Sequence, residues 1–351
     1  MLTLAGCASE EIKHDFKLVY PSPPDEPRFI FERTITSSFD VKDISSSDRL
    51  RQFATGTMGT AEGLSKPYGV AVYKGRIFVT DTVKRSVLMF DVPGKVFKTF
   101  GTEGPGALRK PIGIDISQNG EIYVADNSGQ RIVVFDQEGN FLRAFGDRQI
   151  LNRPSGVAVS PDGSKAYVID TGGVDTQDHH LYIFDAHSGD LLKTIGNRGK
   201  EEGDFNLALQ VSTAPDGTVY VTDSGNFRVQ AFNADGSFKM AFGKVGRKVG
   251  NFARPTGIAT DAAGNVYIVD AAFGNFQIFN DKAELLMFIG ERSEQPMPGR
   301  YMLPKGIDVD EDGRIYMVDQ FFNKVDVYRP ANMEPEDGYL GGAHLKKEPK
   351  G

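Results

Sequence analysis

Aspartate recurs at a regular interval along the chain, and carboxylates are side chains that can bind metals or transfer protons. Each of these aspartates ends an aromatic segment such as EIYVAD or NVYIVD, and neighbouring ones are 44 to 53 residues apart. The six are Asp81, Asp126, Asp170, Asp223, Asp270 and Asp319. Equivalent carboxylates in every repeat indicate a structural role, in which each accepts hydrogen bonds from the following turn. We therefore expect function at positions where the repeats differ.

Two further aspartates, Asp115 and Asp308, break a second pattern. Other repeats have a small residue at this register, as at Ala71 and Ala158. If the register faces a central axis, the two carboxylates line a channel, where water or a divalent ion such as Ca²⁺ could bind. A carboxylate bonded to backbone is the alternative. These two aspartates are the metal candidates.

Basic residues precede the proline of a PxG segment in four repeats. They are Lys66, Lys110, Arg153 and Arg254, with Lys305 next to the sixth segment and Arg85, Arg131, Arg228 and Lys324 after the strand-end aspartates. A ring of cations around the mouth of a channel would attract an acidic ligand. Ordinary pairing with neighbouring carboxylates is the alternative interpretation.

Aromatic residues follow the strand-end aspartates in three consecutive repeats, at Phe227, Phe273, Phe321 and Phe322. Aromatics in adjacent loops form an apolar binding patch or pack against the neighbouring repeat. The third repeat has an insertion, TGGVDTQDHH at 171–180, with two histidines. Adjacent residues of a strand point to opposite faces, which is poor geometry for a metal, so a solvated loop is the preferred interpretation.

The elements that position these residues are short strands, four to a repeat. KPYGVAV at 66–72 recurs as KPIGIDI, RPSGVAV, RPTGIAT and LPKGIDV, with a degenerate copy LALQVST at 207–213. Four strands per repeat of about 45 residues predict a β-propeller, whose blades bury their faces by stacking around an axis. The sixth repeat lacks its last strand, and LRQFATG at 50–56 is predicted to supply it.

The repeat resembles the NHL repeat, and residues 111–146 of the second copy, PIGIDISQNGEIYVADNSGQRIVVFDQEGNFLRAFG, resemble it most. The resemblance covers about 50–329 and implies an all-β, six-bladed propeller with four antiparallel strands per blade. NHL propellers include protein-binding scaffolds, receptor-kinase sensor domains, RNA-binding modules and a few enzymes. The axial zinc histidines of amidating lyases are not matched here, nor are the Glu and Asn ligands of gluconolactonase-like propellers.

Composition narrows the choice of partner. Lys and Arg number 40 against 47 Asp and Glu, giving a net charge of −7, which argues against a nucleic-acid ligand. No apolar run approaches the roughly 18–20 residues of a membrane-spanning helix. A single cysteine, Cys7, leaves no internal disulfide.

Cys7 ends Leu4-Ala5-Gly6-Cys7, the pattern that bacterial lipoprotein signal peptidase cuts before lipid is attached to the cysteine. Because only six residues precede Cys7, we expect that the signal peptide starts upstream of Met1 or was trimmed. A chance cysteine in a frayed N-terminus is the alternative interpretation. The absence of Asp after the cysteine favours the outer membrane. The predicted organisation is a signal remnant (1–7), a Pro-rich tether with a strand and loop (8–49), the propeller (50–329) and a flexible tail (330–351).

The sequence thus predicts a non-catalytic scaffold or ligand-binding propeller, lipid-anchored at the bacterial cell envelope. The face formed by the loops between strands b and c and between strands d and a is predicted to bind a protein partner or an acidic ligand. The main alternative is a metal-dependent hydrolase or lyase at the axis that uses Asp115 and Asp308, and a third is a purely structural envelope lipoprotein. No cofactor is predicted apart from that axial ion.

Overall fold

A computed structural model describes residues 17–42, 61–173 and 175–346. Within these ranges the chain is almost entirely strands and turns, with no α-helix. None of the helical segments there has the length and apolar character needed to cross a membrane.

Six antiparallel sheets form the blades, and strands a to d run outward from the axis. Blade 1 contains β3 (Pro67–Tyr73), β4 (Arg76–Asp81), β5 (Ser86–Asp91) and β6 (Val96–Phe100). Blade 2 contains β7 (Pro111–Ile116), β8 (Ile122–Asp126), β9 (Arg131–Phe135) and β10 (Phe141–Phe145). Blade 3 contains β11 (Pro154–Val159), β12 (Lys165–Asp170), β13 (His180–Asp185) and β14 (Leu191–Ile195). The all-β propeller predicted from the repeats is confirmed.

The remaining blades follow the same plan. Blade 4 contains β15 (Ala208–Thr213), β16 (Val219–Asp223), β17 (Arg228–Phe232) and β18 (Phe238–Phe242). Blade 5 contains β19 (Pro255–Thr260), β20 (Val266–Asp270), β21 (Asn275–Phe279) and β22 (Leu285–Ile289), followed by the short parallel pair β23 (Glu291–Arg292) and β24 (Arg300–Tyr301). Single 3-10 turns lie at Ser38–Asp40, Gly104–Gly106, Ser224–Asn226 and Ala343–Lys346.

Blade 6 closes the ring with a strand from the N-terminal region. Its order is β25 (Pro304–Val309), β26 (Ile315–Asp319), β27 (Lys324–Pro330), β2 (Phe29–Ile35) and β1 (Val19–Tyr20). LRQFATG, predicted to close the ring, lies outside the described residues, and the place predicted for it beside β27 is occupied by β2. β2 fits there because Ile35 enters the core between blades 6 and 1 and Thr34 Oγ1 donates to Asp326 at 2.7 Å. The boundary of the propeller at residue 50 was therefore wrong.

The core is divided among the six interfaces between neighbouring blades. The cluster between blades 1 and 2 includes Phe78, Phe100 and Phe135, and the rings of Phe100 and Phe135 meet edge to face at 5.1 Å. The repeated aromatics therefore stack the blades, as the pattern predicted.

Glycine in the PxG segment lets the inner strands approach one another around the axis. A Cβ atom at Gly113 would lie 2.8 Å from Cα of Gly156, and one at Gly306 would lie 2.6 Å from the carbonyl oxygen of Tyr68. Both distances are shorter than a side chain tolerates, so the tight axis requires glycine. Blade 4 has Gln210 instead, and its amide donates to the carbonyl of Ser155 at 3.0 Å.

Both ends of the described chain pack against blade 6, where the sequence predicted an extended tether and a flexible tail. Tyr20 packs edge to face on Tyr328, and Leu340 is buried in the core with Ile35. The fully buried Arg314 links the two ends, because its guanidinium donates to Glu32 at 2.9 Å and to the carbonyl of Asp337 at 3.0 Å. For residues 17–28 and 331–346, the expectation of loose tails was wrong.

Candidate functional site

The six strand-end aspartates hold the loops of one face in place. Asp126 accepts from the backbone N–H groups of Arg109, Lys110 and Gly129 at 2.8–3.2 Å, and it is fully buried. The same pattern recurs at Asp81, Asp170, Asp270 and Asp319. Asp223 accepts from Asn206 N–H and from the side chains of Asn226, Arg228 and Gln230. Each carboxylate joins the d–a loop to the b–c loop of its blade, so the predicted structural role is confirmed.

A narrow channel runs along the propeller axis, with an internal cavity of about 40 Å³. At one end it opens between the b–c and d–a loops, into a cavity of about 220 Å³. At the other end it opens among the a–b turns, into a cavity of about 540 Å³. The two openings differ in charge.

The opening on the loop face is cationic and is called here the basic mouth. Lys66, Lys110 and Arg153, from three successive blades, are exposed and line its cavity. The side chains of these three residues form no ion pair and no hydrogen bond with another residue in the described part of the chain. The structure thus brings together three of the four cations predicted from the PxG segments.

Lys305 is the charged member of the innermost ring of the basic mouth. The equivalent positions in the other blades are Tyr68, Ile112, Ser155, Leu209 and Thr256. Its ammonium lies 5.4 Å from the ring centroid of Tyr68. Burial, together with the positive charges of Arg254 and Lys66, lowers the pKa of Lys305 to about 8. The field at this mouth is therefore positive.

Three of the other predicted cations bond to groups of the protein. Arg131 donates to the carbonyls of Pro105 and Ala107, and Arg228 donates to Asp223 at 2.8 Å and to the carbonyl of Asp204. The buried Lys324 pairs with Asp326 at 2.7 Å. For these three, the interpretation as ordinary repeat pairing fits the structure.

The last two predicted cations differ from each other. Arg254 donates to the carbonyl of Ala271, and Arg85 is exposed on the b–c loop of blade 1.

The four loop aromatics do not form one exposed patch. Phe227 packs against the core between blades 4 and 5, and Phe273 is half-buried. Phe322 is half-buried and its ring contacts Phe321 at 5.2 Å, while Phe321 is 58% exposed. Only Phe321 of the four therefore presents a large apolar surface to solvent.

Asp115 and Asp308 line the channel, and both are bonded to backbone. Asp115 accepts from Val159 N–H and Asp308 from Val72 N–H, each at 2.7 Å. Burial raises the pKa of Asp115 to about 6, and burial together with the charge of Asp115 raises the pKa of Asp308 well above its usual range. A divalent ion at these two carboxylates stays a prediction. The described residues contain no group of three or more His, Cys, Asp or Glu side chains arranged to hold a metal.

The insertion of blade 3 differs from the solvated loop that was predicted. His179 is fully buried, and its Nδ1 accepts from Leu207 N–H at 3.1 Å. His180 bonds through Nδ1 to the carbonyl of Gly196 at 2.6 Å. Both rings serve to fix the loop to its surroundings.

Sequence reasoning missed the apolar and polar lining of the basic mouth. Its floor is formed by Tyr68, Ile112 and Leu209, and the residue after a strand-end aspartate lines the wall at Thr82, Asn127, Thr171 and Gln320. The wall residues donate to backbone carbonyls, as Asn127 does to Pro154 and Gln320 to Pro67 of the next blade. The sequence signal that could have identified these residues is their position, one residue after a repeated proline or aspartate.

Comparison with known proteins agrees with the propeller fold. Residues 60–146 match the family described as 6-bladed beta-propeller, and residues 205–232 match the NHL repeat. The chain is a six-bladed β-propeller with NHL repeats. A match of 40% identity over 50 residues joins this propeller to tripartite motif-containing protein 3 of Mus musculus. That match covers 14% of the chain and 7% of the mouse protein.

Solved structures resemble the NHL propeller in fold. A protein of unknown function from Bacteroides thetaiotaomicron matches with a TM-score of 0.61 and 16% identity, covering 85% of this chain and 75% of that one. A streptogramin B lyase structure matches at 0.56 and 14%, covering 76% and 94%. Kuenenia stuttgartiensis hydrazine synthase matches at 0.57 and 19%, covering 79% and 88%. Identities this low show the fold alone.

Proposed function

We propose that this NHL propeller is a non-catalytic binding or scaffold protein of the bacterial cell envelope, and that its b–c and d–a loop face binds a protein partner or an acidic ligand. The observation that carries the proposal is the basic mouth. Three exposed cations surround an open cavity there and pair with no carboxylate of the described residues. Charges left unpaired at a concave site attract a ligand of opposite sign.

The binding face is tested by photo-crosslinking. A photoreactive phenylalanine analogue replaces Phe321, in the b–c loop of blade 6, or Tyr73, at the opposite opening. We expect discrete crosslinked products in envelope preparations from position 321 and none from position 73. The same pattern from both positions would contradict a face-specific interaction.

The envelope anchor rests on the LAGC sequence alone, because residues 1–16 lie outside the described residues. A lipidated Cys7 would carry two or more acyl chains, which hold a protein stably on a bilayer. We expect the mature protein to begin at a lipid-modified Cys7 by mass spectrometry, and C7S to move from the membrane to the soluble fraction. An unmodified N-terminus that retains residues 1–6 would contradict the anchor.

The axial metal is tested separately. If a divalent ion binds between Asp115 and Asp308, purified protein contains it in stoichiometric amount by elemental analysis, and D115N/D308N loses it. This result would favour the alternative of a metal-dependent hydrolase or lyase. Substoichiometric metal that both proteins share would remove the support for that alternative.

A further inference from the structure

The cations that line the cavity of the basic mouth are unevenly distributed among the six blades. Its cations come from blades 1, 2 and 3, where Lys66, Lys110 and Arg153 lie in sequence around the rim. At the equivalent positions, blades 4 and 6 have Leu207 and Leu303, and blade 5 has Arg254, which does not line the cavity. The cations that a ligand in this cavity can contact are therefore those of blades 1, 2 and 3.

The floor of the cavity adds an apolar contact. Tyr68, Ile112 and Leu209 lie at its base, and the polar groups of the wall are already bonded to backbone carbonyls. With few free hydrogen-bonding groups below the rim, the floor suits a hydrocarbon or aromatic group rather than a second charge.

The size of the cavity indicates a side chain or a short segment as the occupant. About 220 Å³ is below the roughly 300–1,000 Å³ of pockets for drug-sized molecules. Apolar surface continues outward from the cavity on the same face, since Leu207 is 41% exposed and Phe321 is 58% exposed. A protein carrying a projecting segment covers both the cavity and these side chains, which a small free anion cannot do.

We propose, building on the function proposed above, that the basic mouth binds an acidic peptide segment of a protein partner. One apolar side chain of the segment lies on the Tyr68–Ile112–Leu209 floor, and carboxylates on either side of it contact Lys66, Lys110 and Arg153. Arg153 can take a carboxylate with two parallel hydrogen bonds, whereas each lysine supplies a point charge.

A nucleic acid fits this face less well. A phosphate backbone is bound by a continuous basic stripe, whereas the exposed cations that line this cavity come from three blades and the equivalent residues of blades 4 and 6 are leucines. The positive field at the mouth is local, because the chain as a whole has a net charge of −7. Burial is the main cause of the lowered pKa of Lys305, and the positive charges of Arg254 and Lys66 lower it further.

The test is fluorescence anisotropy on the full-length protein with labelled peptides. The probe has one phenylalanine between two pairs of glutamates, and its controls replace the glutamates with glutamine or the phenylalanine with glycine. A single-stranded oligoribonucleotide of similar length is the fourth probe. We expect the acidic probe to bind at least tenfold more tightly than the glutamine peptide and several-fold more tightly than the glycine peptide.

Protein variants separate the mouth from general charge effects. K66Q/K110Q/R153Q removes the three rim cations, and K84Q/K200Q/K282Q removes three exposed cations that do not line the cavity. We expect the first to weaken the acidic probe at least tenfold and the second to change it less than twofold. L209S should erase the preference for phenylalanine over glycine in the peptide. Thermal melting checks that each variant is folded.

Three results would overturn the proposal. They are equal affinity of the acidic and glutamine peptides for the wild-type protein, equal loss in the two triple variants, and tighter binding of the oligoribonucleotide than of the acidic probe. If F321A weakens binding while the rim variant does not, the loop face binds elsewhere, so this proposal fails and the broader function stands. If no probe responds to either variant, both are contradicted.

Discussion

The b–c loops and the basic mouth share one face of the propeller but use their charges differently. In the loops, the strand-end aspartates accept from backbone N–H groups, and Arg131 and Arg228 donate to the backbone carbonyls of Ala107 and Asp204. At the mouth, Lys66, Lys110 and Arg153 are exposed, with no carboxylate partner among the described residues. Charged residues of the same face thus divide into those that hold the face together and those left for a ligand.

This comparison shows that residue type and spacing do not identify a binding cation. Arg131 follows a strand-end aspartate and Lys110 precedes a PxG segment, and both are repeated, basic and located in loops. Only the groups that each side chain bonds to in the folded protein distinguish the role of Arg131 from that of Lys110. Substitutions in the first group should therefore change stability, and those in the second should change binding.

The largest effect is expected for Asp126→Ala. The substitution leaves three backbone N–H groups without their acceptor and removes the carboxylate near Arg131, at 3.8 Å. We expect a loss of about 3–5 kcal/mol in the free energy of unfolding, measured with denaturant. Asp175→Ala, in an exposed loop position, is the control and should cost less than about 0.5 kcal/mol. A similar loss in both would contradict the structural role.

Arg131→Gln and Lys110→Gln compare a cation that bonds to the protein with one that is left for a ligand. Arg131→Gln removes hydrogen bonds to the carbonyls of Pro105 and Ala107, so we expect a destabilisation of about 1–2 kcal/mol. Lys110→Gln should change stability by less than about 0.5 kcal/mol, since its side chain bonds to no other described residue. Denaturant unfolding of the two variants under identical conditions measures the difference, and the reverse order would break the division.

Lys305→Met tests the cost of holding a buried charge at the mouth. The pKa of Lys305 is about 8 in the folded protein against its ordinary 10.5, so the folded state disfavours the charged form. This penalty is complete below pH 8 and disappears as pH rises to about 10.5. We expect Lys305→Met to raise the free energy of unfolding by about 1–2 kcal/mol at pH 7 and less at pH 10. A gain that does not depend on pH would show that packing, rather than charge, is responsible.

Asp115→Asn extends the test to the opposite opening. The folded pKa of Asp115 is about 6 against an ordinary 3.8, so its ionised form destabilises the folded state fully above pH 6 and not below 3.8. The asparagine oxygen can still accept from Val159 N–H. We expect a gain of about 1 kcal/mol at pH 8 that vanishes near pH 4, measured by thermal unfolding. No difference at pH 8 would show that the carboxylate carries no charge penalty.

Much of the fold could be predicted from the repeats. A buried strand that ends in aspartate recurs in all six copies, and a PxG segment recurs in five, because each blade packs between two similar neighbours. The closure of the ring could not be predicted in this way. Strand β2 occurs once, so no second copy identified Phe29–Ile35 as the partner of β27. The packing of Leu340 and Arg314 with the chain ends was missed for the same reason.

The candidate site was predicted only in outline. The cations Lys66, Lys110 and Arg153 were identified, but Arg131, Arg228 and Lys324 were grouped with them because their hydrogen-bond partners lie 24 residues upstream or in different loops. The floor of Tyr68, Ile112 and Leu209 was missed. Three residues that differ in type at one register carry no common sequence pattern.

The sequence by itself therefore determined the propeller, its six blades and the role of the strand-end aspartates, because these depend on local turns and on contacts repeated at every blade interface. The tertiary structure alone decided which strand closes the ring and which cations remain unpaired at the mouth. Both depend on which side chains and carbonyls come into contact across the ring, and a sequence repeat does not specify those contacts.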